Sequence, residues 1–320
     1  MRKYLIPQRG NFYKANLHTH SMLSDGKWDP AGIKNWYKAH GYSVVAITDH
    51  DLFIPHNDLT DDDFVALNGF ELGMHTDKYG KVKCCHINLI AKNPENTYPV
   101  CLHRTKYMFG NAPEYAFMMD FEEDQADTER EYSPEFFNSV FEKGKEKGFF
   151  TTYNHPGWSN EQYEQYSLYD GMCAMEIYNH TGQDYSPQAY DDLLSQGKKV
   201  YCIASDDSHN SETSLGGFVM IKAKKLEYVA IMKALEAGSF YSSTGAEITA
   251  LWTEDNYIHI DCTNAVKIVF STKTRKIELR DTSSVSLVLD DADEYVRITV
   301  IDKDGKMAFT NGYFIKEIFK

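Results

Sequence analysis

The sequence predicts an α/β fold: a barrel of seven or so (β/α) units over residues 1–246, then a small all-β domain over 247–320. Three observations predict it. Apolar runs of strand length alternate with helical stretches as far as about residue 246, and each run delivers polar residues at or near an end, where barrel enzymes place their chemistry. Beyond that point helix signals vanish and short alternating runs take over. No G-x-G-x-x-G follows the first strand and no Walker loop is present, which sets aside an open nucleotide-binding sheet.

The first strand is the apolar run 12–17, which leads into His18-Thr19-His20. In an extended chain, side chains two apart share a face, so both imidazoles lean into one space. The Ser24-Asp25-Gly26 turn brings Asp25 back over the same spot. Asp29-Pro30 caps a helix that runs to about His40 and stops at Gly41. Residues 43–47 read as a fully buried strand of the parallel type, ending in Thr48-Asp49-His50-Asp51. Residues 64–70 form a short strand ending at Glu71, and 84–91 another with His86 near its start. A capped helix over 133–147 precedes a strand at 149–153 and the segment Asn154-His155-Pro156-Gly157-Trp158. Strand 174–178 carries Glu176 and precedes Asn179-His180; helix 187–196 follows. Strand 200–204 leads into Ser205-Asp206-Asp207-Ser208-His209, and helix 226–237 closes the series.

Two stretches break the rhythm. Residues 92–132 are long, with an acidic and aromatic second half, and read either as a lid-like insertion or as a solvated excursion. From about Glu247, runs such as 257–260, 266–270, 285–289, 296–301 and 313–315 alternate between turn signals, as a small β-sandwich does. That tail is expected to be a structural cap or a surface for a second copy of the chain, as in a homo-oligomer.

Composition narrows the function. The 320 residues are 42% hydrophobic and 14% aromatic, enough for a sizeable core. A formal net charge of −14 argues against nucleic-acid backbones and anionic membrane surfaces as partners. It leaves an anionic small substrate open, because bound divalent ions invert a local field. Six cysteines lie mostly inside apolar runs with no C-x-x-C pair, as buried reduced thiols do. With no signal-peptide core and no membrane-length run, the expected location is the cytoplasm.

The strand-end residues His18, His20, Asp25, His50, Glu71, His86, His155, Asp207 and His209 make six imidazoles and three carboxylates. Imidazole nitrogen with carboxylate oxygen suits Zn, Mn or Fe, and a set without cysteine argues against a purely structural zinc site. Nine donors suffice for two or three divalent ions, with a carboxylate such as Glu71 as a bridge.

In order, His18-Thr19-His20, Ser24-Asp25-Gly26, Thr48-Asp49-His50, Gly69-Phe70-Glu71, His86, Asn154-His155-Pro156 and Ser205-Asp206-Asp207-Ser208-His209 resemble the motifs of the PHP (polymerase and histidinol phosphatase) superfamily. The resemblance implies a distorted (β/α)7 TIM-like barrel, two or three metal ions, and hydrolysis of a small phosphate ester by a metal-bound hydroxide. Carried onto this chain, it implies His18, His20, Glu71 and an aspartate of the last motif around one ion. Asp25, His50 and His209 surround a second, and Glu71, His86 and His155 a third. The family's Asp-x-His spacing selects Asp207; Asp206 takes that place if the strand ends one residue earlier. Many members carry histidine where Asp25 stands. Residues 240–248 and the β-rich tail resemble the branch that includes carbamate-ester hydrolases.

Other residues carry two readings. Glu176 either orients a ligand histidine or is a buried glutamate paired with a lysine or arginine. His180 either acts as a general acid, beside Glu71 and Asp207 as catalytic residues, or lies on a surface loop. Asn154 either positions substrate or serves the turn. Arg104 and Lys106 either meet an anionic substrate or are ordinary exposed charges. His40, His56, His75, His103 and His259 read as structural or exposed. A carboxylic or carbamate ester or amide hydrolase with the same site is the second functional reading, and a non-catalytic metal-binding regulatory protein the third.

Overall fold

The structure, a computed structural model, describes residues 2–78 and 81–319. It is a mixed α/β fold in which most strands join one large sheet. Asn11–Asn16, Val44–Ile47 and Val65–Thr76 lie side by side and parallel. Lys83–Ala91 is antiparallel to both of its neighbours, Val65–Thr76 and Phe149–Tyr153. Phe149–Tyr153, Ala174–Asn179 and Tyr201–Ser205 are again parallel. On the other side, Phe218–Ala223 runs antiparallel to Asn11–Asn16 and to Phe240–Ser243. The sequence suggests uniform parallel units; the pair at 65–91 is antiparallel because Thr76 and Lys83 lie too close in the chain for a crossover between parallel strands. Tyr201–Ser205 reaches the far side of the sheet through Ser242 Oγ, which donates to Cys202 O at 2.8 Å. Among the described residues no strand ladder completes a closed barrel there.

Helices cover the sheet as amphipathic patterning requires. Pro30–Ala39 is capped by Asp29, whose side chain accepts from Gly32 N, and it buries Ile33 and Tyr37. Pro134–Glu146, capped by Ser133, buries Phe137, Val140 and Phe141. The strand at Glu71 does not stop there, as the 64–70 run suggests, but continues to Thr76. Glu71 therefore sits mid-strand, held on both sides.

The C-terminal strands are not a sheet pair of their own. Met307–Phe309 pairs with Phe240–Ser243, so Tyr295–Asp302, Ala265–Thr272 and Lys276–Arg280 extend the large sheet. Glu247–Glu254, Tyr257–Thr263 and Ser284–Val288 form a second sheet, joined at its edge by Lys3–Tyr4. Lys3–Tyr4, a short strand that the sequence does not announce, thus pairs with the tail although it precedes the 12–17 run. Leu251, Ile258 and Ile260 meet Ile268, Phe270, Ile298 and Val300 in one buried cluster between the two sheets.

Residues 92–132 are strapped down rather than solvated. Val100, Leu102 and Ala112 are buried in the main core, and Asn111 donates to Met22 O at 3.0 Å. Arg130 anchors the far end, its Nη1 donating to Asp51 Oδ1 at 2.6 Å and to Gly73 O at 2.7 Å. No helix among the described residues is long and apolar enough to cross a membrane, and the six cysteines are unpaired.

Candidate metal centre

The centre is built around Glu71. Its Oε1 lies 3.1 Å from His18 Nε2, 3.2 Å from His86 Nδ1 and 3.4 Å from His155 Nε2. Its Oε2 lies 3.1 Å from His50 Nδ1 and 3.4 Å from His20 Nε2. Asp207 Oδ1 sits 2.9 Å from His20 Nε2 and 3.3 Å from His18 Nε2, and those two nitrogens face each other at 3.2 Å. Asp25 Oδ2 is 3.2 Å from His209 Nε2 and 3.8 Å from His50 Nε2. All nine strand-end residues named from the sequence therefore converge on one patch.

Local structure explains each position. Beyond Asn16 the chain stays extended and bonds to the 205–209 segment, with His20 N donating to Ser208 O at 2.8 Å. Thr19 faces away, taking a hydrogen bond from Asn16 Nδ2, so both histidines face the centre. Asp49 shapes the following turn by accepting from Ser21 N, Ser21 Oγ and Ser24 Oγ, each at 2.7 Å. Gly26 closes that turn against His20 O, which a Cβ would approach to 2.2 Å. Asp51, His155 and Asp207 hold positive φ angles of 54°, 28° and 54°, conformations that cost backbone energy at the site.

A second layer fixes the imidazoles. Glu176 Oε1 accepts from His18 Nδ1 at 2.8 Å, which leaves the Nε2 lone pair directed at Glu71 and Asp207. Its Oε2 accepts from His155 N and from Asn179 Nδ2, both at 2.9 Å. This buried glutamate therefore serves two site histidines, not a lysine or arginine. His209 Nδ1 donates to Asp207 O at 2.8 Å, turning Nε2 to Asp25. Asn154 Nδ2 donates to Glu71 Oε1 at 2.8 Å, a role its turn position did not reveal. The adjacent aspartates divide the work. Asp206 accepts from the backbone N–H groups of Leu215, Gly216 and Gly217 and from Tyr37 Oη, which anchors the following loop, while Asp207 faces the centre.

Electrostatics match a cation site. Burial opposes ionisation of Glu71, but His18, His86 and His50 outweigh it and hold its carboxyl well below the usual range. Asp207 is lowered in the same way, against burial, by His18 and His20. Asp25, despite its burial, is held at about 2 by His209, His20 and His50. Burial pulls His86 down, yet Glu71 and Cys84 lift it to about 10. Burial and neighbouring His20 push His50 down to about 3. Glu71 Oε2 and His20 Nδ1 are buried with no hydrogen-bond partner. Buried acceptors left unpaired among facing imidazole nitrogens are what a bound divalent ion would satisfy, so the residues fit one. Among the described residues the nine donors form groupings such as His18, His20, Glu71 and Asp207; His20, Asp25, His50 and His209; and His50, Glu71 and His86. His155 joins through Glu71.

A cavity of about 370 Å³ opens on the centre, walled by Phe109, Trp158, Val82, Thr181 and Gly182. Phe109, brought by the 92–132 strap, packs edge-on to His50. His180 is not part of the lining; it meets Tyr178 Oη and packs against Gly216. Arg104 and Lys106 pair with Asp127 and Glu129 instead of facing the cavity. A larger cavity, about 510 Å³, lies at the starts of the Ala174–Asn179 and Tyr201–Ser205 strands, away from these donors.

No family model and no curated protein matches the chain. Among solved structures it is similar to a two-domain protein containing a predicted PHP-like metal-dependent phosphoesterase from Bacteroides vulgatus, at 14% identity over 97% of this chain and 98% of that one, with a TM-score of 0.46. It is also similar to a candidate metal-dependent phosphoesterase from Bifidobacterium adolescentis, at 14% identity over 64% and 89% of the two chains, TM-score 0.38. A third is an amidohydrolase from Chromobacterium violaceum with bound sulfate and no metal, at 12% identity over 62% and 89%, TM-score 0.39.

Proposed function

We propose that the chain is a PHP-type metal-dependent hydrolase whose barrel-like sheet carries a di- or trinuclear centre that cleaves a small phosphate ester. The observation that carries this reading is the convergence of five imidazoles on the two oxygens of one buried carboxylate, Glu71. These residues would hold divalent ions (Zn, Mn or Fe), which when bound would supply Lewis-acid polarisation of the ester and a nucleophile at neutral pH. The protein's own part is positional and protonic. Glu176 and Asn154 hold His18, His155 and Glu71 in register. Asp207 offers Oδ1 to the centre, is steadied at Oδ2 by Asn179 Nδ2 at 3.3 Å, and borders the cavity, so its carboxylate is the group placed to take up the proton of the attacking water and return it to the leaving oxygen. His180, outside the cavity, has no part in this scheme.

A specific observation favours the second reading, a carboxylic or carbamate ester. Among the described residues lining the cavity there is no lysine or arginine, while Phe109, Trp158 and Val82 give it apolar walls. A phosphate monoester dianion would find only the bound cations to balance it, whereas a diester or an uncharged aryl ester fits the walls. Purified metal-loaded protein should be assayed on p-nitrophenyl phosphate, bis-p-nitrophenyl phosphate, and aryl acetates and carbamates. Turnover of the phosphate substrates, lost in Glu71→Gln, supports the first reading. Turnover confined to carbon esters replaces it with the second. No turnover on any of them by protein shown to retain its metal overturns both.

A further inference from the structure

Beside the centre, at the rim of the same cavity, lies a cluster of a different chemical kind. His75 and Cys84 are directly opposed across the hairpin, and His86 is two residues beyond Cys84 on the same face. The ligand atoms of His75, Cys84 and His86 all lie within 4.8 Å of one another. The residue opposite His86 is Gly73, and the space depends on it: a Cβ there would sit 3.0 Å from His75 Cε1 and 3.6 Å from His86 Nε2. His75 is exposed and Cys84 half-buried, so the thiol is reachable from solvent, unlike the buried Cys85 beside it.

We infer that His75, Cys84 and His86 form a separate cation site at the cavity mouth, built for a thiophilic ion such as Zn²⁺ or Cd²⁺. Two imidazoles and a thiolate make a soft three-ligand set with a fourth, open position for water. The inner centre, by contrast, offers only nitrogen and oxygen. On binding, the Cys84 S–H bond breaks, the sulfur–metal bond forms, and the proton leaves to solvent. His86 ties the two sites together. Its Nδ1 is 3.2 Å from Glu71 Oε1, while its Nε2 looks toward the Gly73 gap. A neutral imidazole has a single lone pair, so His86 serves one side at a time. Filling the mouth site therefore takes one imidazole from the inner centre and leaves its other eight donors in place to keep their ions; only the effect on activity, inhibition by excess zinc, rests on the hydrolase reading.

The test is a Cd²⁺ titration of the full-length, metal-stripped protein, following the ultraviolet thiolate-to-cadmium absorption and counting bound ions after gel filtration. The expected result is a one-thiolate band in the wild type. Cys84→Ser should lack the band and bind one ion fewer while keeping the others. His75→Ala should retain the band but need at least about tenfold more free Cd²⁺ to reach it. Near-ultraviolet circular dichroism of each variant checks its fold, and the His75→Ala arm decides the matter if Cys84→Ser is not native. A band of equal size in Cys84→Ser, equal ion counts in the two proteins, or an unshifted His75→Ala titration overturns the site. Because the readout is the sulfur band, a protein without hydrolase activity still tests it.

Discussion

Replacing Glu176 by glutamine tests whether the second layer sets the chemistry of the centre. The carboxylate accepts from four buried donors: His18 Nδ1, Ser205 Oγ, His155 N and Asn179 Nδ2. Glutamine keeps the volume, but one end becomes an NH₂ group that donates and cannot accept. If that end faces His18, the imidazole must accept at Nδ1 and carry its proton on Nε2, the nitrogen aimed at Glu71 and Asp207. If it faces His155, its N–H groups oppose those of His155 and Asn179. Either arrangement misplaces a proton or strands donors. Loss of such an outer partner costs about 10–100-fold in metal affinity, about 1.4–2.7 kcal/mol. The unpaired donors cost the metal-free protein on the order of 2 kcal/mol besides. Competition against a chromophoric chelator measures the first, and thermal or urea unfolding the second. A Glu176→Gln protein with wild-type metal affinity and native near-ultraviolet dichroism would refute the claim that Glu176 fixes the His18 tautomer.

Other outcomes follow from the same geometry. Asp207→Asn should lose bound metal while keeping its unfolding midpoint in chelator, whereas Asp206→Asn should lose on the order of 3 kcal/mol of stability because three backbone N–H groups and Tyr37 depend on it; paired urea melts and metal analysis separate them. Arg130→Ala leaves Asp51 buried without its cation, at a cost of about 3–5 kcal/mol, and should speed limited proteolysis within residues 92–132. The metal-stripped protein should weaken as pH rises above neutrality. His209 and His86 have raised values, His86 up to about 10, so their stabilisation is complete below the unfolded imidazole pKa and is lost as pH climbs through the folded ones. The carboxylate side, with Asp25 at about 2, is lost only in strong acid, and His50, held near 3, acts in the opposite sense below neutrality. Cations need deprotonated imidazoles, so the rise in melting temperature on adding metal should grow over that same alkaline range. Parallel melting curves with and without metal across pH would contradict this assignment.

How much of this was legible in the chain varies from residue to residue. His18 and His20 stand out because period-two alternation at the end of an apolar run leaves few ways to place them. Helix ends were legible from Asp29-Pro30 and Ser133-Pro134, whose capping is local chemistry. Glu71 was visible, but not its place in mid-strand, since the apolar run gave out before the ladder did. His75 read as ordinary because its partnership with Cys84 depends on hairpin register, a long-range quantity that composition does not encode. Glu176 and Asn154 show the same limit: Glu176 serves His18, His155 and Ser205 from three other segments, and Asn154 reaches Glu71 on a distant strand, partnerships that no local pattern encodes. The pairing of Lys3–Tyr4 with the tail had no local signal at all.

That last pairing bears on how the chain acquires its shape. Lys3 and Tyr4 pair with Thr253 and Trp252, Lys3 lying 250 positions before Thr253. The second sheet is therefore incomplete at its edge until segments that far apart have met, and contacts spanning such sequence separations are reached slowly. Until Glu247–Glu254 is in place, Lys3 and Tyr4 have no strand to join.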